Sequence, residues 1–439
     1  MPDAALSSTT HAPLRLPDSG RILSPDPLPV RTPLPATAAV ACQPTTRLTP
    51  VSADERIHAL DILRGLALFG MILVHFHQKM RLDATGLEDL IGWGVWVLVE
   101  QKAWGTFAFL FGVGFAVLLR RLEARGAPVT RIYLRRLGTL ALFGIVAEVG
   151  FGFQILFEYA AWGLALLVVR RWSTRSLLAC AVLAASVRPL VHALGVPSPW
   201  MAGARPALRQ AVDLAAQQSH YAALLAARWN LFVADLPHVW TDLLPDSNLV
   251  LFIVGLLAVR YQVVDQPKRH VRLIVGWMLF ALVSWALYWL VLRNLPTTGR
   301  PVLDQALSGG FGILQDQWLC FAYIGTVLLL LAYRPVWTAR LAPFGQSGRM
   351  ALTNYMLQAA LLDVLASSYG FGLRLRPYVY APAAVLCFAV VAMMSMAWLR
   401  SHRFGPLEWV WRTVTYAERQ PLRRTGGKAV GSHPPRESP

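Results

Sequence analysis

The sequence is poor in charged residues. Only 15% of its 439 residues are Asp, Glu, Lys or Arg, whereas 55% are hydrophobic. A soluble globular protein carries about 25% charged residues. The hydrophobic residues occur in long blocks, many of them near the ~20 residues that a helix needs to cross a bilayer. The composition therefore argues against an ordinary soluble domain and predicts an all-α, polytopic integral membrane helix bundle.

Cysteine is scarce as well. Three of the four cysteines, Cys180, Cys320 and Cys387, lie inside apolar blocks without regular spacing. They are typical of small buried residues, and they predict neither disulfides nor a metal site. His75 and His77 are close in sequence, but no third ligand follows at a useful spacing, so we expect no metal.

The motifs of familiar soluble enzymes are missing. The sequence has no phosphate loop, dinucleotide-binding glycine fingerprint, GxSxG elbow or HExxH helix. No cleavable signal peptide is visible, because residues 1–50 hold ten prolines and no apolar core segment. We expect residues 1–52 to form a disordered, Pro-rich cytoplasmic arm and residues 417–439 a disordered basic tail.

About ten segments predict spanning helices within a transmembrane domain over residues 53–416. The external loop over 197–241 has helical spacing, which predicts one or two short helices on the membrane surface. Smaller interfacial helices are expected at Leu87–Gln101 and Arg403–Arg412, and a tight bend near Gly150–Gly152. The predicted spans lie near residues 58–78, 103–121, 133–151, 153–170, 176–196, 242–260, 272–292, 311–333, 350–369 and 379–399.

The net charge of +17 is distributed unevenly along the chain. With the N-terminus inside, the tails and inside loops hold 29 of the 41 Lys and Arg residues. The positive-inside rule then predicts cytoplasmic N- and C-termini. Because the basic residues lie between apolar blocks, we expect the lipid bilayer as a partner and no nucleic acid. The predicted location is the bacterial cytoplasmic membrane, with multiple crossings.

The first predicted helix, RIHALDILRGLALFGMILVHFHQ, carries ionisable residues within an apolar stretch. Such residues are costly in hydrocarbon and indicate function or pairing. Asp61 and Arg64 are i,i+3 neighbours. Arg64 and His75 share one helix face near opposite leaflets, whereas His77 points elsewhere. An intrahelical ion pair and structural histidines are the alternatives.

Further polar residues lie in or beside other predicted spans. Together they predict a polar cavity for an anionic substrate or cofactor. Alternatively, Arg135 and Arg136 are cytoplasmic anchors, and the polar stripe around Asn354 joins helices by hydrogen bonds. The residues are Lys102, Arg135, Arg136, Glu148, Gln154, Tyr159, Asn354 and Gln358.

The stretch RIHALDILRGLALFGMILVH resembles the opening of YeiB-like membrane proteins. EQKAWGTFAFLFGVGFAVLLRRLEARG and YLRRLGTLALFGIV follow in that family's order. PFGQSGRMALTNYMLQAALL and FGPLEWVWRTVTY resemble its C-terminal region, the domain of unknown function 418, which we place at 300–416. The resemblance covers most of residues 56–416.

The first helix is also similar to that of transmembrane acyltransferases of the acyltransferase-3 and heparan glucosaminide N-acetyltransferase types. This similarity implies transfer of an acyl group from cytoplasmic acyl-CoA, such as acetyl-CoA, to a hydroxyl or amine of a sugar, lipid or metabolite. His75 would be the general base and Asp61 would orient Arg64. The CoA phosphates would bind Arg64, Lys102, Arg135 and Arg136. The expected substrate-binding residues are His77, Glu148, Gln154, Tyr159, Asn354 and Gln358.

The chain departs from the family's pattern at three places. Many members have Asn at the position of His75, a His near Val146–Glu148 and an Asp at the position of Gln154. Either activity is lost, or His75 and Glu148 substitute. A transporter or export-associated protein without catalysis is the alternative function, because polar seams also describe a permeation path and Gly309–Gly310 and Gly312 could interrupt a helix. A structural or regulatory membrane protein is the third possibility.

Overall fold

The computed structural model describes residues 58–80, 82, 86–153, 155–194, 205–239, 248–291, 304 and 311–424. These residues belong to one unit of the chain, 51–439. Several sequence-based expectations lie outside the described residues: the arm over 1–52, the site residue Gln154, the pair Gly309–Gly310 and the tail from residue 425 onward.

The described part of the chain is mainly helical. Within those ranges it forms sixteen α-helices and no β-strand, apart from an isolated bridge between His402 and Arg423. The helices are α1 (His58–Met80), α2 (Leu87–Val95), α3 (Gln101–Ala124), α4 (Val129–Phe151), α5 (Ile155–Val169), α6 (Thr174–Ala193), α7 (Arg205–Ala216), α8 (Tyr221–Asp235), α9 (Asn248–Arg260), α10 (Val271–Leu290), α11 (Phe311–Tyr333), α12 (Val336–Arg340), α13 (Ala342–Arg349), α14 (Ala351–Ala366), α15 (Pro377–Ser401) and α16 (Pro406–Tyr416).

Four of the described helices are long and apolar enough to cross a membrane: α1, Glu88–Ala124, α10 and α15. Shorter apolar helices occur within α5, α6, α9, α11 and α14. The outer face of α10 is strongly apolar and exposed, as expected for a helix that faces lipid. The prediction of an all-α membrane protein is therefore confirmed.

The prediction of a separate interfacial helix at Leu87–Gln101 is wrong. Helix α2 continues through a π-helical segment, Trp96–Glu100, directly into α3. No proline interrupts this stretch, and a π turn absorbs an irregularity in the hydrogen-bond ladder without ending the helix. Residues Glu88–Ala124 therefore form one helix of 37 residues.

Residues 417–424, which the sequence assigns to a disordered tail, are ordered. The Trp409 indole donates a hydrogen bond to the Gln420 carbonyl at 2.6 Å, and the Arg403 amide donates to the Leu422 carbonyl at 2.8 Å. These bonds hold residues 420–422 against α16 and against Arg403, just before that helix. Residues 417–424 are consequently ordered beside α16.

The bend predicted near Gly150–Gly152 is present. Helix α4 ends at Phe151, and Gly152 adopts a left-handed conformation with φ 76°. The amides of Gly152 and Phe153 donate to the carbonyls of Glu148 and Ala147 at 2.9 and 3.1 Å, which closes the helix end. The chain then turns back into α5, and Phe153 packs against α1.

Two hydrophobic clusters form the core. One joins α3, α4, α5 and α9, and the other joins α1, α14 and α15. Four partly buried side chains, Phe107, Ile155, Leu156 and Trp411, pack against both clusters. A cavity lies where the clusters meet, and all four side chains line it.

Helices α1 and α13 cross at unusually close range. A Cβ atom at Gly65 would overlap the backbone carbonyl of Phe344, and one at Gly348 would overlap the carbonyl of Asp61. Only glycine permits this approach, as in other membrane helix pairs that pack through small residues. The crossing brings the start of α1 next to the end of α13.

We expect Gly348→Ala to destabilise the protein. The overlapping atom belongs to the backbone, so it cannot rotate away, and overpacking costs about 1–3 kcal/mol. Thermal unfolding in detergent should show a lower midpoint than wild type. Gly345→Ala on the same helix is the matched control, because its Cβ would meet the Ile62 side chain at an ordinary 3.4 Å. Equal midpoints for the two variants would contradict the close crossing.

Candidate functional site

A cavity of about 350 Å³ opens at the end of the bundle where α1 begins and α3 ends. This volume lies in the range of small-molecule sites. Its rim is basic and its interior is apolar and aromatic. Helices from both ends of the chain contribute to it, so the site depends on long-range packing.

The charge at the cavity is strongly unbalanced. Seven arginines and three carboxylates line it, an excess of four positive charges. Guanidinium groups bind phosphates and carboxylates in two-point fashion, and they do so more strongly where apolar walls lower the local dielectric. The arginines are Arg64, Arg120, Arg121, Arg136, Arg349, Arg403 and Arg412, and the carboxylates are Asp61, Asp265 and Glu408.

Asp61 and Arg64 lie together on the first turns of α1, as the sequence spacing predicts. The Arg64 guanidinium donates to the Asp61 carboxylate at 2.8 Å. The second carboxylate oxygen has no hydrogen-bond partner within the described residues. The side chain of Arg64 is 29% exposed and that of Asp61 is 10% exposed. Arg64 is thus both held in place and accessible from the cavity.

Arg136 is fixed by the C-terminal helix. Its guanidinium carbon lies 3.7 Å from the centre of the Trp411 ring, and the Trp411 indole donates to the Arg136 carbonyl at 2.9 Å. This combination of cation–π contact and hydrogen bond joins α4 to α16. Both side chains line the cavity.

Glu408 serves a structural purpose at the rim. Its carboxylate accepts hydrogen bonds from the amides of Leu352 and Thr353 at 2.7 and 3.2 Å and from the Thr353 hydroxyl at 2.5 Å. Burial raises the pKa of Glu408, and these hydrogen bonds act against that shift. Since the carboxylate caps the start of α14, it is committed to holding α16 in place.

The inner part of the cavity is aromatic and aliphatic. Its walls include Met71, Phe107, Phe111, Tyr159 and Tyr355. The Tyr159 hydroxyl donates to the Trp104 carbonyl at 3.0 Å, and its ring packs edge-on against Phe111 at 5.8 Å. An apolar chain fits this environment better than a charged group does.

His75 lies one helical turn beyond Met71 and does not line the cavity. Its ring centre is 4.3 Å from that of Phe153 and 6.5 Å from that of Tyr355. The side chain is buried, and its Nδ1 has no hydrogen-bond partner in the described part of the chain. Tyr355 therefore separates the cavity from His75.

The other basic residues that were predicted to bind the CoA phosphates differ in position. Arg136 lines the cavity beside Arg64, but Arg135 and Lys102 do not. Neighbouring residues on a helix point about 100° apart, and on α4 it is Arg136 rather than Arg135 that faces the cavity. Lys102 is only 1% exposed within α3, well before the arginine-bearing end of that helix at Arg121.

Most of the predicted substrate-binding residues also lie elsewhere. Asn354 donates to the Ser347 carbonyl at 3.0 Å and to the Ser395 hydroxyl at 2.9 Å, so it joins α13, α14 and α15, as the interhelical alternative predicts. His77 is buried and its Nδ1 lies 2.7 Å from the Tyr380 hydroxyl. Within that predicted set, Tyr159 alone among the described residues lines the cavity.

Glu148 and Gln358 are separated from the cavity for different reasons. Glu148 lies near the far end of α4, beside the bend. Gln358 is completely buried on α14, and neither polar atom of its amide has a partner within the described residues. The polar residues of the sequence thus divide between the cavity, interhelical contacts and the opposite end of the bundle.

A second polar cluster closes that opposite end. The Arg228 guanidinium makes a two-point contact with the Asp363 carboxylate and also donates to the Gly150 carbonyl at 2.8 Å. The Tyr369 hydroxyl donates to Asp363 at 3.0 Å. Burial and this carboxylate raise the pKa of Tyr369, which therefore keeps its proton. The cluster ties α8 to α14.

Sequence reasoning missed five cavity arginines: Arg120, Arg121, Arg349, Arg403 and Arg412. Each lies at the end of an apolar block, where an anchoring role is the ordinary interpretation. Arg120 and Arg121 precede a loop, and the others belong to the C-terminal region. The quoted family motifs contain four of the five, all but Arg403, but no spacing within the sequence shows that they meet.

Comparisons with known proteins match two separate regions of the chain, and both regions contribute arginines to the cavity. Residues 258–418 match the family model "Protein of unknown function (DUF418)", and residues 56–213 match "Heparan-alpha-glucosaminide N-acetyltransferase, catalytic". The first region supplies Arg349, Arg403 and Arg412, and the second supplies Arg64 and Arg136. No solved structure matches the chain.

Two bacterial relatives are similar along most of the chain, and a third is similar along part of it. The uncharacterized protein YxaH of Bacillus subtilis is 29% identical over 423 residues, covering 86% of this chain and 98% of its own. An uncharacterized 39.9 kDa protein of Bacillus acidopullulyticus is 29% identical over 383 residues, covering 85% and 98%. The uncharacterized protein YeiB of Escherichia coli is 35% identical over 68 residues, 16% of this chain and 18% of its own. The chain is thus similar to proteins with the domain of unknown function 418 and, over part of its length, to YeiB, and its residues 56–213 resemble the catalytic region of an N-acetyltransferase.

Proposed function

We propose that this protein is an integral-membrane acyltransferase. It moves an acyl group from acyl-CoA on the cytoplasmic side to a hydroxyl or amine of a sugar, lipid or metabolite. The observation that carries the proposal is the cavity, which combines an arginine rim with an apolar interior and ends next to His75. The match of residues 56–213 to an acetyltransferase catalytic region supports the same reaction class.

The charge of the donor fits the rim. Coenzyme A carries a diphosphate and a phosphomonoester, which together hold roughly four negative charges at neutral pH. The cavity has an excess of four positive charges among its lining residues. A lipid phosphodiester or a carrier-bound pantetheine has far less charge to offer, so the arginine rim favours the free nucleotide donor.

The length of the cavity fits the donor as well. It follows α3 from Arg121 to Phe107, fourteen residues or roughly 21 Å at the rise of an α-helix. That distance is similar to an extended pantetheine arm. With phosphates at the rim, the thioester would lie near Tyr159 and Tyr355.

The reaction needs two proton transfers, one away from the acceptor and one to the departing sulfur. The acceptor oxygen or nitrogen attacks the thioester carbonyl carbon, the new C–O or C–N bond forms and the C–S bond breaks. His75 takes the acceptor proton and returns it to the departing sulfur, so that free CoA leaves as a thiol. Because Tyr355 separates the cavity from His75, its side chain must move before transfer.

We also propose how the protein crosses the membrane. The ten apolar segments cross the bacterial cytoplasmic membrane with cytoplasmic N- and C-termini. Support comes from the arginines of α1, α3, α4 and α16, which meet at one end of the bundle and give it the positive charge expected of a cytoplasmic face. The acceptor would then approach from the end closed by Arg228 and Asp363.

Export without catalysis is the alternative. Each end of the bundle carries its own polar groups. A transporter would open the two ends in turn. Formation of an acylated product in detergent, where there are no compartments, would support the acyltransferase. Movement of a solute into sealed vesicles without any acylated product would support export.

We expect Arg64→Ala to weaken binding of acetyl-CoA at least about tenfold, because a charge-assisted contact to phosphate is lost. Binding to purified protein in lipid nanodiscs is the measurement. Arg131→Ala is the control, since Arg131 is exposed at the same end of the bundle and does not line the cavity. Equal affinities for the two variants would remove Arg64 from the donor site.

We expect His75→Ala to abolish acyl transfer while leaving acetyl-CoA binding intact, because His75 lies beyond the cavity that holds the donor. Loss of a general base lowers the rate by about 10²–10⁴-fold. Transfer from radiolabelled acetyl-CoA to membrane extracts is the assay, and His58→Ala, an exposed position at the start of α1, is the control. Wild-type transfer by His75→Ala would exclude His75 as the base.

A further inference from the structure

The C-terminal segment Arg403–Tyr416 forms one wall of the cavity rim. Helix α16 turns its residues 408, 411, 412 and 416 toward the cavity, which is the spacing of a single helix face. Arg403 and Phe404, just before the helix, complete the wall. Basic and aromatic side chains therefore alternate along this rim.

Aromatic rings hold the guanidinium groups in position. Arg403 and Arg412 lie over the Phe404 ring, at 5.9 and 4.6 Å from its centre, and Arg136 lies over Trp411. A stacked guanidinium uses its flat face for the ring and presents its N–H groups at the edge. Arg136 and Arg403 have no carboxylate partner within the described residues.

The segment is rigidly attached to the bundle. Glu408 caps α14, and Trp411 bonds to the Arg136 carbonyl. The strand-like return over 420–424 ties the segment from its other side, through Trp409 and the Arg403 amide. A wall fixed from three directions loses little conformational freedom on binding a ligand, which favours affinity.

We propose that this wall is a binding subsite for the nucleotide end of the CoA donor. Arg403 and Arg412 bind its phosphates, and the aromatic side chains of Trp411 and Tyr416 contact the adenine ring. The inference rests on the proposed acyltransferase function. It gives the C-terminal family region a specific purpose, which is to select a nucleotide-bearing donor over a donor with pantetheine alone.

The combination of side chains favours a nucleotide. Phosphates bind arginine, and a purine ring stacks on aromatic side chains or guanidinium planes. A lipid headgroup would use the arginines but would have no ring to stack on Trp411 or Tyr416. Free inorganic phosphate would not need the adjoining apolar cavity. Adenosine 3′,5′-bisphosphate, the nucleotide part of CoA, is therefore the minimal ligand expected to bind here.

The test compares three ligands on the full-length protein in phosphatidylcholine nanodiscs. They are CoA, 4′-phosphopantetheine and adenosine 3′,5′-bisphosphate. The variant is the double substitution Arg403→Ala with Arg412→Ala. Arg400→Ala is the matched control, because Arg400 is exposed at the end of α15 and does not line the cavity. Competition between the bisphosphate and CoA for the wild-type protein tests the subsite without any variant. The subsite is therefore testable even if the double variant does not fold.

The double variant should bind CoA at least about tenfold more weakly, through loss of charge-assisted phosphate contacts. Its affinity for 4′-phosphopantetheine should stay within about twofold of wild type, a change too small to represent a lost charged contact. The Arg400→Ala protein should match wild type for all three ligands. On wild type, the bisphosphate should displace CoA competitively.

Three results would contradict part of this account, and they are distinguishable. Equal weakening of CoA and 4′-phosphopantetheine, or bisphosphate that does not compete, overturns the subsite alone. Binding of the bisphosphate without binding of 4′-phosphopantetheine or CoA keeps the nucleotide subsite and contradicts the acyl-CoA function. A wild-type protein that binds none of the three ligands overturns both proposals.

Discussion

The close crossing of α1 and α13 at Gly65 and Gly348 is the contact on which the site depends. It places the backbone of one helix against the other without intervening side chains. In a membrane, where lipid competes with side chains for apolar contacts, such close packing of small residues is a main source of helix association. The crossing sets Arg349, at the end of α13, beside the same cavity as Asp61 and Arg64. It thereby joins a region that resembles an acetyltransferase to a C-terminal region of unknown function.

The cavity lining holds more basic than acidic side chains among the described residues. The lining has an excess of four positive charges, and like charges near apolar walls repel one another. Stacking of arginines on Trp411 and Phe404 and the pairing of Arg64 with Asp61 stabilise these charges. An anionic ligand would relieve this repulsion, so binding and stability should be coupled. The apolar interior then separates the reacting end of the ligand from its charged end.

Much of the helical arrangement is predictable from the sequence, because long apolar blocks and basic loops reflect the bilayer directly. Asp61 and Arg64 were predictable for a local reason, since their spacing on one helix fixes their pairing. The meeting of Arg349, Arg403 and Arg412 with Arg64 was not, because it depends on a glycine crossing and on Glu408 capping a distant helix. The opposite holds for Asn354 and Gln358. The sequence shows that they are polar residues within a predicted span, but only the packing in the structure shows that they do not line the cavity. His75 lies between these cases: its place along α1 follows from the sequence spacing, but its position behind Tyr355 does not.

The most direct measurement is a cryo-EM reconstruction of the protein in nanodiscs with a non-hydrolysable acetyl-CoA analogue. We expect density that begins with phosphates between Arg64, Arg136 and Arg412 and continues along α3, with the acetyl group beside Tyr355. Density for the analogue at another surface, or an empty cavity in a reconstruction at saturating ligand, would contradict the central claim.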